Sequence, residues 1–207
     1  MSRLRYNRRE AVAALKASCP QMASLIREKG PFRLSVKGGN DLFASLASSI
    51  AYQQLSGKAA ATIHGRFEAL FENNKPVAAE TVKLSVQTLR SVGLSNNKAL
   101  AILDLAEHSC SGRLPSARKM ASLDDEAIIK SLCSVRGIGP WTAQMHLIFS
   151  LGRPDVMPIT DLGIQKGVQI TYKLPSLPKP DQVLEMTRHL APYRSVASWY
   201  LWRVADD

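Results

Sequence analysis

Apolar residues recur at helical spacing in segment after segment of this chain, and that period constrains its fold more than any other feature. In 41–51 (DLFASLASSIA), Leu42, Phe43, Leu46 and Ile50 share a helical face, and Asp41 stands where it can cap the start. In 56–71, Ala60, Ile63, Phe67 and Leu70 repeat the pattern behind Ser56, a favoured N-cap residue. Leu100, Leu103 and Ala106 do so in 97–109. Segment 123–133 opens on Asp124-Asp125-Glu126, and such acids suit the positive end of a helix dipole. The stretches 140–150 and 181–190 follow the same logic, and a last helix, roughly 194–205, is rich in aromatic residues. Strand signals are weak. No period-2 run is bounded by hairpin dipeptides, and 32–37 (FRLSVK) reads as a loop or short extended piece. Loops are expected at Gly38-Gly39, 73–77, 112–116, 152–158 and the proline-rich 175–180. The fold class is therefore all-α, and 207 residues suffice for one domain or two small lobes around a shared core.

Charge narrows the partner. The formal net charge is +10, with basic residues spread along the chain rather than gathered in a tail. A folded chain of this kind carries a basic face suited to a polyanion, either nucleic acid or an anionic membrane surface. Cys19, Cys110 and Cys133 match neither a zinc site nor a disulfide framework, and an iron–sulfur cluster usually takes four cysteines. An odd, sparse count fits a reducing compartment. The first 20 residues lack the apolar core of a signal peptide, and no stretch approaches the roughly 20 apolar residues of a membrane span. The expectation is an intracellular protein, of cytoplasm, nucleoid or nucleus, with no membrane partner.

The stretch LCSVRGIGPWTAQMHLIF, residues 132–149, is the most informative. A helix ends near Cys133, Gly137-Ile138-Gly139 forms a tight turn, and Pro140 starts the next helix where proline is favoured. Glycines let backbone approach a bulky group, and N–H groups beside a helix N-terminus suit a phosphate. Ile138 would anchor the turn in the core. By itself a Gly-x-Gly turn is also an ordinary αα-hairpin. Further on, Pro158-Ile159-Thr160-Asp161-Leu162-Gly163 places Asp161 at the start of a short helix, where an N-cap is the plain reading. Two more strings stand out: Gln53-Gln54-Leu55-Ser56-Gly57-Lys58-Ala59-Ala60 after the 41–51 helix, and Pro192-Tyr193-Arg194-Ser195 leading to Trp199-Tyr200-Leu201-Trp202.

Together these four motifs, in this order and across residues 40–205, resemble the helix–hairpin–helix superfamily of base-excision DNA glycosylases, in its compact alkylpurine (3-methyladenine glycosylase II) type. The resemblance implies two helical lobes with a cleft between them. One lobe would take about 1–45 and 150–207, the other about 46–149, with the helix–hairpin–helix at 123–149. It implies that Gly137, Ile138, Gly139 and Thr142 form the DNA-binding hairpin. Asp161 falls on the family's catalytic aspartate, and Thr160 departs from the acid often found before it. Trp141, Met145 and Trp202 would line the pocket for the flipped base. Gln54 and Leu55 would plug the gap in the stack, with Gln53 and Ser56 near the opposite strand or the abasic sugar and Lys58 on phosphate. Arg194 either braces the loop bearing Asp161 or serves as a structural ion-pair partner. His64 and Trp199 read as structural.

The implied activity is hydrolysis of the N-glycosidic bond of alkylated purines, 3-methyladenine and 7-methylguanine among them, in double-stranded DNA. Members that also cut the strand carry a lysine two residues after the second hairpin glycine. Here that position is Trp141, and the nearest downstream lysine is Lys166. The expectation is a monofunctional, monomeric enzyme needing no cofactor. Carbonyls of Cys133, Val135 and Ile138 are the implied ligands of a structural Na+ or K+. The alternatives at this point are a non-enzymatic binder of damaged or abasic DNA, a glycosylase of another specificity, and a helical scaffold that uses the hairpin to hold DNA.

Overall fold

A computed structural model describes residues 4–36 and 41–205. Among them every regular element is helical: α1 (Arg8–Ser18), α2 (Pro20–Lys29), α3 (Leu42–Tyr52), α4 (Gly57–Glu68), α5 (Ala78–Thr81), α6 (Val86–Ser91), α7 (Asn96–Cys110), α8 (Ala117–Ser122), α9 (Asp125–Cys133), α10 (Pro140–Phe149), α11 (Leu162–Tyr172), α12 (Pro180–Thr187) and α13 (Arg194–Ala205), with short 3-10 turns at Glu72–Asn74 and Arg188–Leu190. The loop expected at Gly38-Gly39 lies outside the described residues. None of these helices is long and apolar enough to cross a membrane.

The chain divides into two compact units. One comprises Met1–Gly38 with Gln144–Asp207, and the other Gly39–Ala143, so α10 runs from the second into the first. In the first unit α13 is central. Its residues Ser195 to Leu201 are all buried, and it packs on α11 and α2. Gly167 makes this possible: a Cβ there would collide with the backbone carbonyl of Leu201, so α11 and α13 touch main chain to main chain. In the second unit α7 is central. Ala99, Ala101, Ile102, Leu105 and Ala106 are buried, and α3, α5 and α6 pack against it.

Several sequence expectations shift here. The buried face of α7 is offset from the expected one, since Leu100 and Leu103 are half-buried while Ile102 and Leu105 are fully enclosed. Leu70 is exposed at the end of α4. Ser56 occupies the N-cap position of α4, but its side chain makes no capping bond; Asp41 does cap α3, accepting from Ala44 N–H. Helices α1 and α2 bury Ala11 and Leu15, and Met22, Leu25 and Ile26, at helical spacing. Their starts are capped: Asn7 accepts from the Arg9 and Glu10 N–H groups, and Pro20 follows Cys19, whose sulfur accepts from Met22 N–H.

Candidate active site and nucleic-acid interface

In the first unit the site is built around Asp161. The chain turns at Pro158, whose carbonyl accepts from Asp161 N–H at 2.9 Å. Asp161 then caps α11, its Oδ1 accepting from Ile164 N–H at 2.9 Å. The same oxygen accepts from Trp202 Nε1 on α13 at 2.8 Å. The cap and the site are thus one arrangement: two donors fix the carboxylate, which is half-buried. Gly163 leaves room for it, because a Cβ there would stand 2.9 Å from Trp202 Cδ1 and 3.0 Å from Asp161 Oδ1. Trp202 stacks on Phe149 of α10, with ring centroids 5.7 Å apart and planes at 28°.

The loop that delivers Asp161 is tied to the start of α13. Arg194 Nε and Nη2 donate to the two oxygens of Asp155 at 2.7 and 2.8 Å, and Arg194 N–H donates to Asp155 Oδ1 as well. These bonds to Asp155 hold the guanidinium above its usual pKa. Ser195 Oγ accepts from Val156 N–H at 2.9 Å, and Ser195 N–H donates to the Pro154 carbonyl at 2.9 Å. Of the two roles left open for Arg194, the structure shows the ion pair, with Asp155 on the segment that leads to Asp161. Thr160, next to Asp161, is exposed.

Helix α10 sets out the aromatic side chains. Trp141, Met145 and Phe149 follow each other at four-residue spacing, which places them along one side of the helix. Trp141 is 45% exposed, unusual for so large an apolar ring. Met145 and Trp202 are half-buried. Trp199, in contrast, is a core residue, packed edge-on to Phe32 at 5.0 Å with Arg203 4.1 Å over its ring. Phe149 had not been singled out as a site residue; its four-residue offset from Met145 was the available signal.

In the second unit the hairpin between α9 and α10 is closed by main-chain bonds, Val135 N–H to Leu132 O and Ile138 N–H to Val135 O, both 3.1 Å. Gly137 has φ 76°, and a Cβ there would lie 3.0 Å from Ala101 Cβ, so conformation and space both require glycine. Nothing crowds the Cβ position of Gly139, which is exposed; its openness leaves the outside of the turn free for close approach. Ile138 is buried, the anchor the sequence implied. Arg136 N–H donates to Asp104 Oδ2 of α7 at 2.7 Å. Thr142, in the first turn of α10, is buried. That turn and the glycines form a patch of backbone donors at a helix N-terminus, which favours an anion.

The 52–57 loop belongs to the same unit. Gln54 has φ 55°, a left-handed conformation rare for a side chain of its kind. Leu55 is 40% exposed, and Gln54, Ser56 and Lys58 are exposed. Gln53 is directed differently: its Nε2 donates to the Gly137 carbonyl at 3.0 Å, tying loop to hairpin. Beneath it, Lys98 Nζ of α7 donates to the carbonyls of Ala51 and Gln53 at 2.9 and 2.7 Å. Desolvation lowers the pKa of this amine. Sequence reasoning missed Lys98, which sits in an ordinary helical segment.

Comparison with known proteins gives the family. Residues 47–192 match the model of the HhH-GPD superfamily of base excision DNA repair proteins, and the chain belongs to that family. It is 33% identical over 195 residues to DNA-3-methyladenine glycosylase 1 of Schizosaccharomyces pombe, covering 94% of this chain and 85% of that one. The solved structure of the Schizosaccharomyces pombe 3-methyladenine DNA glycosylase, in complex with abasic DNA, superposes with a TM-score of 0.86 at 32% identity over 96% of this chain and 97% of the other. A DNA-3-methyladenine glycosidase from Bacillus halodurans superposes with a TM-score of 0.85 at 35% identity, covering 94% and 88%.

Proposed function

We propose that this chain is a monofunctional DNA glycosylase of the 3-methyladenine glycosylase II type, which hydrolyses the N-glycosidic bond of alkylated purines in double-stranded DNA. The observation that carries the reading is the Asp161 carboxylate held by Ile164 N–H and Trp202 Nε1, downstream of a helix–hairpin–helix. The names and the DNA complex of the similar proteins supply the substrate class.

Breaking the bond builds positive charge on the sugar, as in other oxocarbenium-like transition states. An ionised Asp161 stabilises that charge and orients the attacking water. A base alkylated at N3 or N7 is already cationic, so its departure needs little proton donation. Trp141 and Trp202 offer π faces on which such a base gains further. Main-chain N–H groups of the hairpin grip a phosphate, and Na+ or K+ at the carbonyls of Cys133, Val135 and Ile138 would share it. Val135 C=O also accepts from Ile138 N–H, and a carbonyl's second lone pair is available to a cation. Trp141, in place of the amine that strand-cutting members use, argues for base removal alone. The enzyme acts as a monomer inside the cell.

Incubation with methylated duplex DNA tests the reading. Free 3-methyladenine and 7-methylguanine should appear while strands stay whole until alkali is added. Absence of released base would overturn the activity, and strand breaks before alkali would overturn its monofunctional character.

A further inference from the structure

Lys98 is in an unfavourable place for a cation. It lies in the first turn of α7, at the positive end of that helix's dipole, and it is partly desolvated. Both effects cost stability, and an exposed lysine could avoid them by turning outward. Its amine instead bridges two carbonyls of another helix's end, Ala51 O and Gln53 O. These are acceptors that the C-terminus of α3 leaves without intrahelical partners. The favourable contact is thus with the negative end of α3, and it fixes the point where the chain leaves that helix.

What the amine fixes is Gln53, and Gln53 reaches the hairpin. Its carbonyl accepts from Lys98 at 2.7 Å while its side-chain amide donates to Gly137 O at 3.0 Å. Immediately beyond, Gln54 is held at φ 55°, a conformation that persists where surrounding bonds over-determine it. Leu55 follows, with 40% of its surface exposed. The order along this path is amine, loop carbonyl, loop amide and hairpin carbonyl, all inside one unit.

We infer that Lys98 is a positioning residue for lesion recognition: through Gln53 it locks the 52–57 loop and the 134–139 turn into one rigid reading head. Lys98 acts on damaged DNA through the loop rather than by contact. The inference rests on the glycosylase reading for what the loop does, but it concerns discrimination between damaged and intact duplex, which binding alone can read. A clamp set before DNA arrives lowers the ordering cost of the loop on binding. Its loss therefore weakens the complex in which the loop is engaged and spares the phosphate grip.

The test is affinity for a duplex with a tetrahydrofuran abasic site against the same duplex intact, measured by fluorescence anisotropy. Lys98→Met should lose the preference for the abasic duplex by about tenfold, the worth of hydrogen bonds to a charged group, with affinity for intact duplex unchanged. Gln53→Ala should show a similar loss. The double variant should lose no more than the worse single variant, because both remove one linkage. Circular dichroism and melting confirm the fold, and Lys98→Leu, which also lacks a donor, replaces Lys98→Met if the latter does not fold. A folded Lys98 variant with the wild-type preference would overturn the inference, and so would losses that multiply in the double variant. Base release by the wild type is scored separately. If it fails, the glycosylase reading falls, while the binding ratio still decides the role of Lys98.

Discussion

The two units hold their candidate site residues by different means. In the first, side chains do the holding: Trp202 grips Asp161, Arg194 grips Asp155, and Ser195 fixes Val156. In the second, the contacts run to main chain: Gln53 and Lys98 donate to carbonyls, Ile138 N–H closes the turn on the Val135 carbonyl, and nothing crowds Gly139. A carboxylate that must meet one developing charge needs its oxygens directed, and side-chain donors from a neighbouring helix direct them. A phosphate recurs along the duplex and carries no sequence information, so backbone donors suffice to hold it. The difference implies that single side-chain changes should damage chemistry in the first unit and affinity in the second.

Trp202→Phe presses hardest on the first half of that comparison. It keeps an aromatic ring against Phe149 but deletes the donor to Asp161 Oδ1. Loss of a hydrogen bond to a charged group predicts a single-turnover rate about 10- to 100-fold lower, with abasic-duplex affinity changed far less. Equal losses in rate and affinity would make Trp202 a binding residue first. Lys58→Ala probes the second half with a smaller effect. Affinity for all duplexes should fall by a similar factor, and the slope of log affinity against log salt should flatten by about one unit. An unchanged slope would remove Lys58 from the phosphate contacts.

What could be read from sequence divides by a different line, local against long-range. The hairpin and the Asp161 segment were legible because their chemistry is local: Gly137 is needed for its φ of 76°, Pro140 starts α10, and Asp161 caps the helix it precedes. The all-helical class followed from apolar spacing. Partners across long sequence separations were not legible. The Trp202–Asp161 bond spans 41 residues, Gln53–Gly137 spans 84 and Lys98–Gln53 spans 45. No periodicity records such pairs, since a donor at the right place needs no particular neighbour in the chain. The Arg194–Asp155 pair, 39 residues apart, is illegible for the same reason. The face of α7 is hard to read because alanines beside leucines blur the apolar stripe: Ala99 and Ala101 are buried while Leu100 is half-buried.

The central claim is that Asp161 performs the chemistry and the grip on DNA is made elsewhere. Asp161→Asn tests it most directly, because the amide oxygen can still accept from Ile164 N–H and Trp202 while the charge is gone. Release of 3-methyladenine should fall by about a thousandfold, the scale expected for removing a transition-state charge partner, with abasic-duplex affinity near that of the wild type. Release at the wild-type rate would contradict the account, and the carboxylate would then be no more than the cap of α11.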